Sequence, residues 1–317
     1  MTSLLSPLAD LPLVFLDVET TGASAAYGDR VTEVAALRIE KGSVVDSYSH
    51  LVNPGRPIWP GVSALTGITN EMVADQPRFA DIAPLIAEKL RDAIVIGHNV
   101  GFDLGFMTNE FRRSGIAVES LFPISKVLDT VRMARRIYGR GGNGLQKLAA
   151  RLGIHVDVAH RALADCHTTA GVFREMLEPL GGSRMSLADA ITLQGGPCRF
   201  DPASCESQLP VELEEALANN SQVRMIYLDA RNARTERVII PMRLGRPGPD
   251  RSLMAFCKMR GDQRSFKLSR IVELTAVPLE AGSPRRSGGT EGTAEASRSD
   301  ALQVAPGEAS PTIAAPP

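Results

Sequence analysis

The chain predicts an α/β fold on a mixed sheet, followed by a smaller β-rich module, and three observations carry that expectation. Three strand-like runs open the sequence, helices and short apolar strands then alternate, and a basic β-rich segment follows a stretch broken by Gly and Pro. Residues 13–18 (Leu-Val-Phe-Leu-Asp-Val) are short, apolar and rich in branched or aromatic side chains, as a buried strand should be, and Thr20-Thr-Gly22 ends them. Residues 31–39 and 43–52 have strand composition and are joined by Glu40-Lys-Gly42, a natural hairpin turn. The opening is therefore an antiparallel meander.

Between 79 and 90, Ile82, Leu85, Ile86 and Leu90 recur at helical spacing, and 93–96 returns to strand. A helix over 102–114, a short strand at 127–128, and helices over 130–138 and 145–152 continue the alternation. A last helix runs from about 162 to 177, where Pro179, Gly181 and Gly182 stop it. Residues 179–210 hold Gly-Gly pairs and Pro197, Pro202 and Pro210, and read as a linker with one short helix near 186–193. Ordering returns near 211, with short strands expected at 223–228, 236–240, 252–257 and 263–268. From about 281 the chain is Gly, Ser, Ala, Pro and Glu, too poor in bulky apolar residues to offset ordering entropy, and a disordered tail is expected. The expected domains are 11–178, a 179–210 linker, 211–280 and a 281–317 tail.

Composition excludes several classes. The 317 residues suggest more than one domain, and 44% hydrophobic with 22% charged residues is ordinary for a globular protein. Four cysteines with no Cys-x-x-Cys pair make a disulfide framework unexpected; Cys198 and Cys205 read as structural or incidental. No stretch approaches the roughly 20 apolar residues of a membrane span, and no basic signal-peptide start is seen, so a cytoplasmic protein is expected. The formal net charge is only -1, but residues 222–270 carry twelve Lys and Arg against four Asp and Glu, a local +8 that favours phosphate-bearing partners.

Three motifs concentrate the chemistry. Asp17 and Glu19 sit two apart at the end of a strand, so they project to one side and can share a metal. His98-Asn-Val-Gly-Phe-Asp103 follows the 93–96 strand, at the carboxyl end where α/β sheets present ligand sites. His160-Arg-Ala-Leu-Ala-Asp165 surrounds the start of the last helix. Singly these residues fit bland readings as well: Asp103 and Asp165 suit the first turn of a helix, and His98-Asn99 a turn. Together they supply four carboxylates and a histidine, a set suited to two divalent cations and a base. Hard oxygen ligands fit Mg2+ or Mn2+ better than zinc, and histidine exchanges a proton near neutrality.

The order and wording of these motifs resemble the histidine-type DEDD exonucleases, the family of proofreading subunits of bacterial replicative polymerases. The resemblance covers about residues 11–178 and implies a ribonuclease H-like fold. It implies metal-dependent 3'-to-5' hydrolysis of phosphodiester bonds, releasing nucleoside 5'-monophosphates, with DNA favoured over RNA. The catalytic set is then Asp17, Glu19, Asp103, His160 and Asp165, with His160 as general base. Asp17 would bridge two metals, Glu19 and Asp165 complete one site, and Asp103 support the other. Contacts to the terminal nucleotide are implied for Val18, Thr20, Thr21 and Gly22, and for Leu65 and Thr66; His98, Asn99 and Phe102 join them. The Thr20–Gly22 and Leu65-Thr-Gly-Ile68 segments fit ordinary turns as well. Arg132, Arg135, Arg136, Tyr138 and Arg140 offer either a phosphate track or a solvated basic face.

In the second module, Ile226-Tyr227, residues 237–241 and residues 264–271 resemble the WYL domain, an Sm-like β-barrel module of bacterial regulators and nucleic-acid enzymes. The namesake triplet is absent, with Ser252-Leu-Met near its place. The expected partners are nucleic acid with a free 3' end and a DNA polymerase or repair complex, and no membrane. The alternatives are a regulator acting through the basic module and an RNA-processing exoribonuclease.

Overall fold

The computed structural model describes residues 3–277 except 24, 26–27, 119–120, 157, 199–208, 230, 232 and 247–250. The expected tail and Cys205 lie outside the described residues. Strand β1 (Leu13–Thr20) organises the first sheet, because its alternation divides two cores. Val14, Leu16 and Val18 enter one core and Phe15 the other. β2 (Val31–Glu40) pairs antiparallel with β1, and β3 (Ser43–Leu51) antiparallel with β2.

Helices α1 (Pro60–Thr66), α2 (Asn70–Ala74) and α3 (Phe79–Leu90) lead to β4 (Ile94–Gly97), which lies parallel to β1. α4 (Gly101–Arg113) then leads to β5 (Val127–Asp129), parallel to β4. The order β3-β2-β1-β4-β5 is the mixed sheet that the meander and the alternation predict, in the ribonuclease H-like form that the resemblance implies. α5 (Thr130–Tyr138), α6 (Leu145–Arg151), α7 (Ala162–Leu177) and α8 (Leu187–Leu193) complete the helical layers.

Apolar spacing decides which layer each helix joins. Phe79, Ala83, Ile86 and Leu90 of α3 and Leu104, Phe106, Met107 and Phe111 of α4 cover the Val14 face. Met133, Leu148, Cys166, Phe173 and Met176, from α5, α6 and α7, cover the Phe15 face. Each such side chain contributes roughly 1.5–3 kcal/mol on burial. Leu85, one of the residues whose spacing predicts α3, points outward instead and is 44% exposed. α1 and α2 are absent from the sequence expectation because helices so short show little periodicity; Pro60 starts α1 and Gly67, at φ 72°, ends it.

Within 179–210, α8 is the short helix expected near 186–193, capped by Ser186 Oγ, which accepts from Asp189 N at 3.1 Å. Leu187, Ala190 and Ile191 bury it against the α7 core, so this part of the connection is folded onto the first sheet. α9 (Val211–Asn219) follows, then β6 (Val223–Leu228), β7 (Arg234–Leu244), β8 (Ser252–Cys257), β9 (Asp262–Lys267) and β10 (Ile271–Ala276). These form a second, wholly antiparallel sheet in the order β10-β6-β7-β8-β9. Four of its strands were expected; β10 and α9 were not. Pro241 sits in β7 where the ladder to β8 shifts register, a place that tolerates the missing N–H.

The second sheet is fastened to the first layer by polar contacts around α9. Glu215, 6% exposed, accepts from Asn143 Nδ2 at 2.7 Å and Asn143 N at 3.4 Å. Lys147 Nζ donates to Ala276 O at 2.5 Å, and Asn99 Nδ2 to Leu209 O at 3.4 Å. Gly144 leaves the space that Glu212 occupies, since a Cβ there would run into the Glu212 carboxylate. Glu215→Ala is expected to lower unfolding free energy by about 1–3 kcal/mol, because buried Asn143 donors lose their acceptor. Glu214→Ala, which loses an exposed 2.9 Å pair with Arg135, should cost less than about 1 kcal/mol. Urea titration of the two variants separates these outcomes.

Candidate active site

The site forms where β1 ends and where α4 and α7 begin. Asp17 and Glu19 share the face of Phe15 by strand alternation, which directs them toward the start of α7. Val18, turned into the opposite core and 5% exposed, leaves its N–H free to donate to Asp103 Oδ1 at 3.0 Å. That bond brings the first turn of α4 against the end of β1. Asp165, in the first turn of α7, accepts from His160 N at 2.9 Å through Oδ2 and from Gln146 Nε2 at 3.0 Å through Oδ1. Glu19, His160 and Asp165 present ligand atoms all within 4.8 Å of one another.

Two turns deliver these groups in the left-handed region: Asn99 at φ 67°, just before α4, and His160 at φ 60°, just before α7. Asn and His are among the non-glycine residues that enter this region most often, and such conformations collect at functional sites. The turn at Asn99 is held by Asp129, which accepts from Asn99 N at 3.3 Å while capping α5 through Val131 N.

Burial and mutual repulsion dominate the electrostatics. Burial, then the charges of Asp103, Glu19, Asp165 and Glu33, holds the Asp17 carboxyl well above the ordinary range. Glu19 is raised well above its ordinary value by burial and then by Asp165, Glu33 and Asp103, against which Arg161 acts. Asp103 is raised by burial although the Val18 N–H opposes the shift. Asp165 is raised by burial, opposed by His160 and the Gln146 bond. Arg161 alone is too little positive charge for so many carboxylates, and hard carboxylate oxygens suit hard divalent cations. The residues present therefore fit a pair of divalent ions.

Residues 14–173 match the family model described as Exonuclease. The chain belongs to the exonuclease family. Residues 210–276 match the WYL domain model. Among curated relatives of the exonuclease segment is the 3'-5' exonuclease DinG of Bacillus subtilis (strain 168), 37% identical over 168 residues, which are 53% of this chain and 18% of that protein. The DNA polymerase III PolC-type of Pediococcus pentosaceus is 39% identical over 164 residues, 51% of this chain and 11% of that protein. The chain thus matches less than a fifth of either relative's length. The structure of exonuclease I, at 17% identity and a TM-score of 0.50, covers 78% of this chain and 55% of its own, and shows a shared fold.

Of the other residues expected in the exonuclease site, Leu65 lines a cavity together with His160. Thr66 is 5% exposed and serves the end of α1, donating to Val62 O and accepting from Ile68 N. Thr20 Oγ1 donates to Gly22 O at 2.6 Å, and Thr21, fully buried, donates to Asp29 and accepts from Arg30 N. Gly22 packs closely on Asp29, whose carboxylate would have to shift to admit a Cβ at 2.5 Å. His98 Nδ1 lies 2.9 Å from Thr130 Oγ1, and burial pulls its pKa down to about 4, so it is neutral. Phe102 rests partly buried on Phe106, ring centroids 5.0 Å apart.

The basic face expected on α5 is largely used inside the molecule. Arg132 reaches Pro197 O and Cys198 Sγ, and Arg135 reaches Glu214 and Glu215.

Sequence reading missed Glu33. This residue stands opposite Glu19 in the β1–β2 ladder, is 2% exposed, and holds Arg161 in a two-pronged pair at 3.0 and 2.8 Å while accepting from Ala162 N. It thereby fixes the residues between His160 and Asp165. The signal was a lone acid inside the apolar run of β2.

Because the four carboxyls bind protons more tightly folded than unfolded, the stability they lend is complete below about pH 4 and is lost as pH rises through their raised values. The metal-free protein should therefore melt at lower temperature as pH increases from about 4. Mn2+ should reverse the loss, by about 2.7 kcal/mol at a hundredfold excess over Kd. Asp17→Asn should stabilise the metal-free protein and abolish the Mn2+ shift; differential scanning calorimetry with and without EDTA checks both.

Proposed function

We propose that the protein is a metal-dependent 3'-to-5' exonuclease acting on DNA, releasing nucleoside 5'-monophosphates. The observation that carries this is the convergence of Asp17, Glu19, Asp103 and Asp165 with His160 at one end of the sheet. In this reading Asp17, Glu19, Asp103 and Asp165 would hold two divalent cations, with Glu19 and Asp165 serving one and Asp103 supporting the other. Such ions, when bound, supply Lewis acidity to the phosphate and charge neutralisation to the leaving 3' oxygen.

The chain's own groups do the rest. His160 takes the proton of the attacking water, and the bond from its N–H to Asp165 ties that base to the carboxylate cluster. Glu33, through Arg161 and Ala162 N, keeps the loop from relaxing. The domain division proposed is an exonuclease domain over 11–178, a connection over 179–210, a WYL-like domain over 211–280 and a tail from 281. DNA rather than RNA, and a polymerase as partner, are supported by the name of one matched relative, the DNA polymerase III PolC-type; a repair complex is the other partner proposed. A reducing, cytoplasmic setting is supported by the free thiols of Cys166, Cys198 and Cys257. Among the described residues no helix is long and apolar enough to cross a membrane.

A 3'-labelled single strand should lose its label at once with Mn2+, while a 5'-labelled strand shortens stepwise. His160→Ala should lower kcat by about 100-fold or more with the fold kept; His160→Asn, which tolerates the left-handed backbone, controls for strain. Absence of metal-stimulated release from the 3' end would refute the reading.

A further inference from the structure

A cavity of about 200 Å³ lies where the second sheet meets the candidate active site. Ala64 and Leu65 of α1 line it, with His160, Arg234 at the start of β7, and Val272 and Glu273 of β10. The WYL-matched segment thus builds one wall of a space whose other wall carries the proposed base. We propose that this cavity is a subsite for the sugar–phosphate backbone of a single-stranded 3' end, with Arg234 as its phosphate contact. The proposal rests on the exonuclease reading and deepens it by assigning the substrate strand a seat on the second module.

The cavity is a built feature. A Cβ on Gly61 of α1 would lie 2.5 Å from Val272 Cγ2 and 3.0 Å from Leu228 Cδ1, so the second sheet rests directly on the helix that carries Leu65. Lys147 binds the far end of β10 through Ala276 O, and Glu215 holds α9 through Asn143. The wall facing His160 is therefore fixed at both ends.

Charge selects the occupant. Arg234 is exposed and, among the described residues, has no ion-pair partner, whereas Arg224 and Arg264 on the same sheet lie beside Glu236 and Asp262. An exposed, unpaired guanidinium meets a phosphate without breaking an existing pair. Glu273, whose Oε1 accepts from Thr275 Oγ1, repels phosphate and leaves that group to the Arg234 end. Its free oxygen can accept from a sugar hydroxyl or a base amino group. The cavity, at about 200 Å³, is smaller than the roughly 300–1,000 Å³ of ordinary ligand pockets and suits a short stretch of one strand's backbone. A strand whose 3' phosphodiester lies beside His160 passes into this space.

The test compares two substrates on the full chain with Mn2+. The p-nitrophenyl ester of thymidine 5'-monophosphate reports the metal centre alone, and a 5'-labelled single-stranded oligodeoxynucleotide reports the strand path. Arg234→Glu should raise KM for the oligonucleotide at least tenfold and leave ester hydrolysis unchanged. Arg234→Ala should reduce the slope of log(kcat/KM) against log salt by about 0.7, one phosphate contact on a single strand, and Arg234→Lys should restore most of the affinity. Wild-type KM and salt slope in both Arg234→Glu and Arg234→Ala would overturn the subsite, as would loss of ester hydrolysis in Arg234→Glu. Failure of the wild-type protein to hydrolyse either substrate would instead overturn the exonuclease reading beneath it.

Discussion

Repulsion among buried carboxylates is the constraint on which this structure turns. Asp17, Glu19, Asp103 and Asp165 meet at the end of one central strand, and burial before all else makes each reluctant to ionise. Left to relax, the chain would splay them apart. Three restraints prevent it: the Val18 N–H on Asp103, the Gln146 amide and His160 N–H on Asp165, and the Glu33 pair with Arg161. The third adds yet another carboxylate to the crowd, but brings the one guanidinium that opposes the shift at Glu19. The energy of folding is thus partly committed to an arrangement that only added positive charge relieves, as expected where stability is traded for function.

What the sequence makes legible follows from how local each feature is. Asp17 and Glu19 could be placed on one face because strand alternation needs no partner, and the first turns of α4 and α7 because helix starts are local. Glu33 could not be placed, since its role depends on the ladder that sets it opposite Glu19 and on a loop 128 residues away. The same holds for Thr21 and His98. Each has the residue type of a ligand contact, and tertiary packing turns each toward a neighbour, Asp29 for one and Thr130 for the other. Arg132 and Arg135 look like a basic track until the chain returns at residues 195–198 and 214–215 to cover them. Short elements escape for a related reason: α1, α9 and β10 complete layers that other elements define.

The two left-handed turns show how backbone and electrostatics are coupled. Asn99 accepts its conformation readily, so its turn is cheap and Asp129 only has to steady it. His160 has the same kind of backbone at φ 60°, and a non-glycine residue there costs about 1–3 kcal/mol unless neighbours over-determine it. The bond from His160 N to Asp165 is one such neighbour, and Glu33 supplies the other through Ala162 N. A carboxylate of the cluster therefore holds the imidazole's own backbone, which makes the histidine's position depend on the state of the acids.

The second sheet cannot then be a passive appendage. It rests on α1 through Val272 and Leu228 with no room for even a methyl group on Gly61, and α1 carries Leu65 to the cavity beside His160. The attachments at Asn143 and Lys147 hold β10 against α1, so the shape of that cavity depends on where the sheet is held. Close-packed interfaces transmit displacement rather than absorb it. The contact of β10 with Gly61 thus lies one turn of helix from Leu65 and the cavity beside His160.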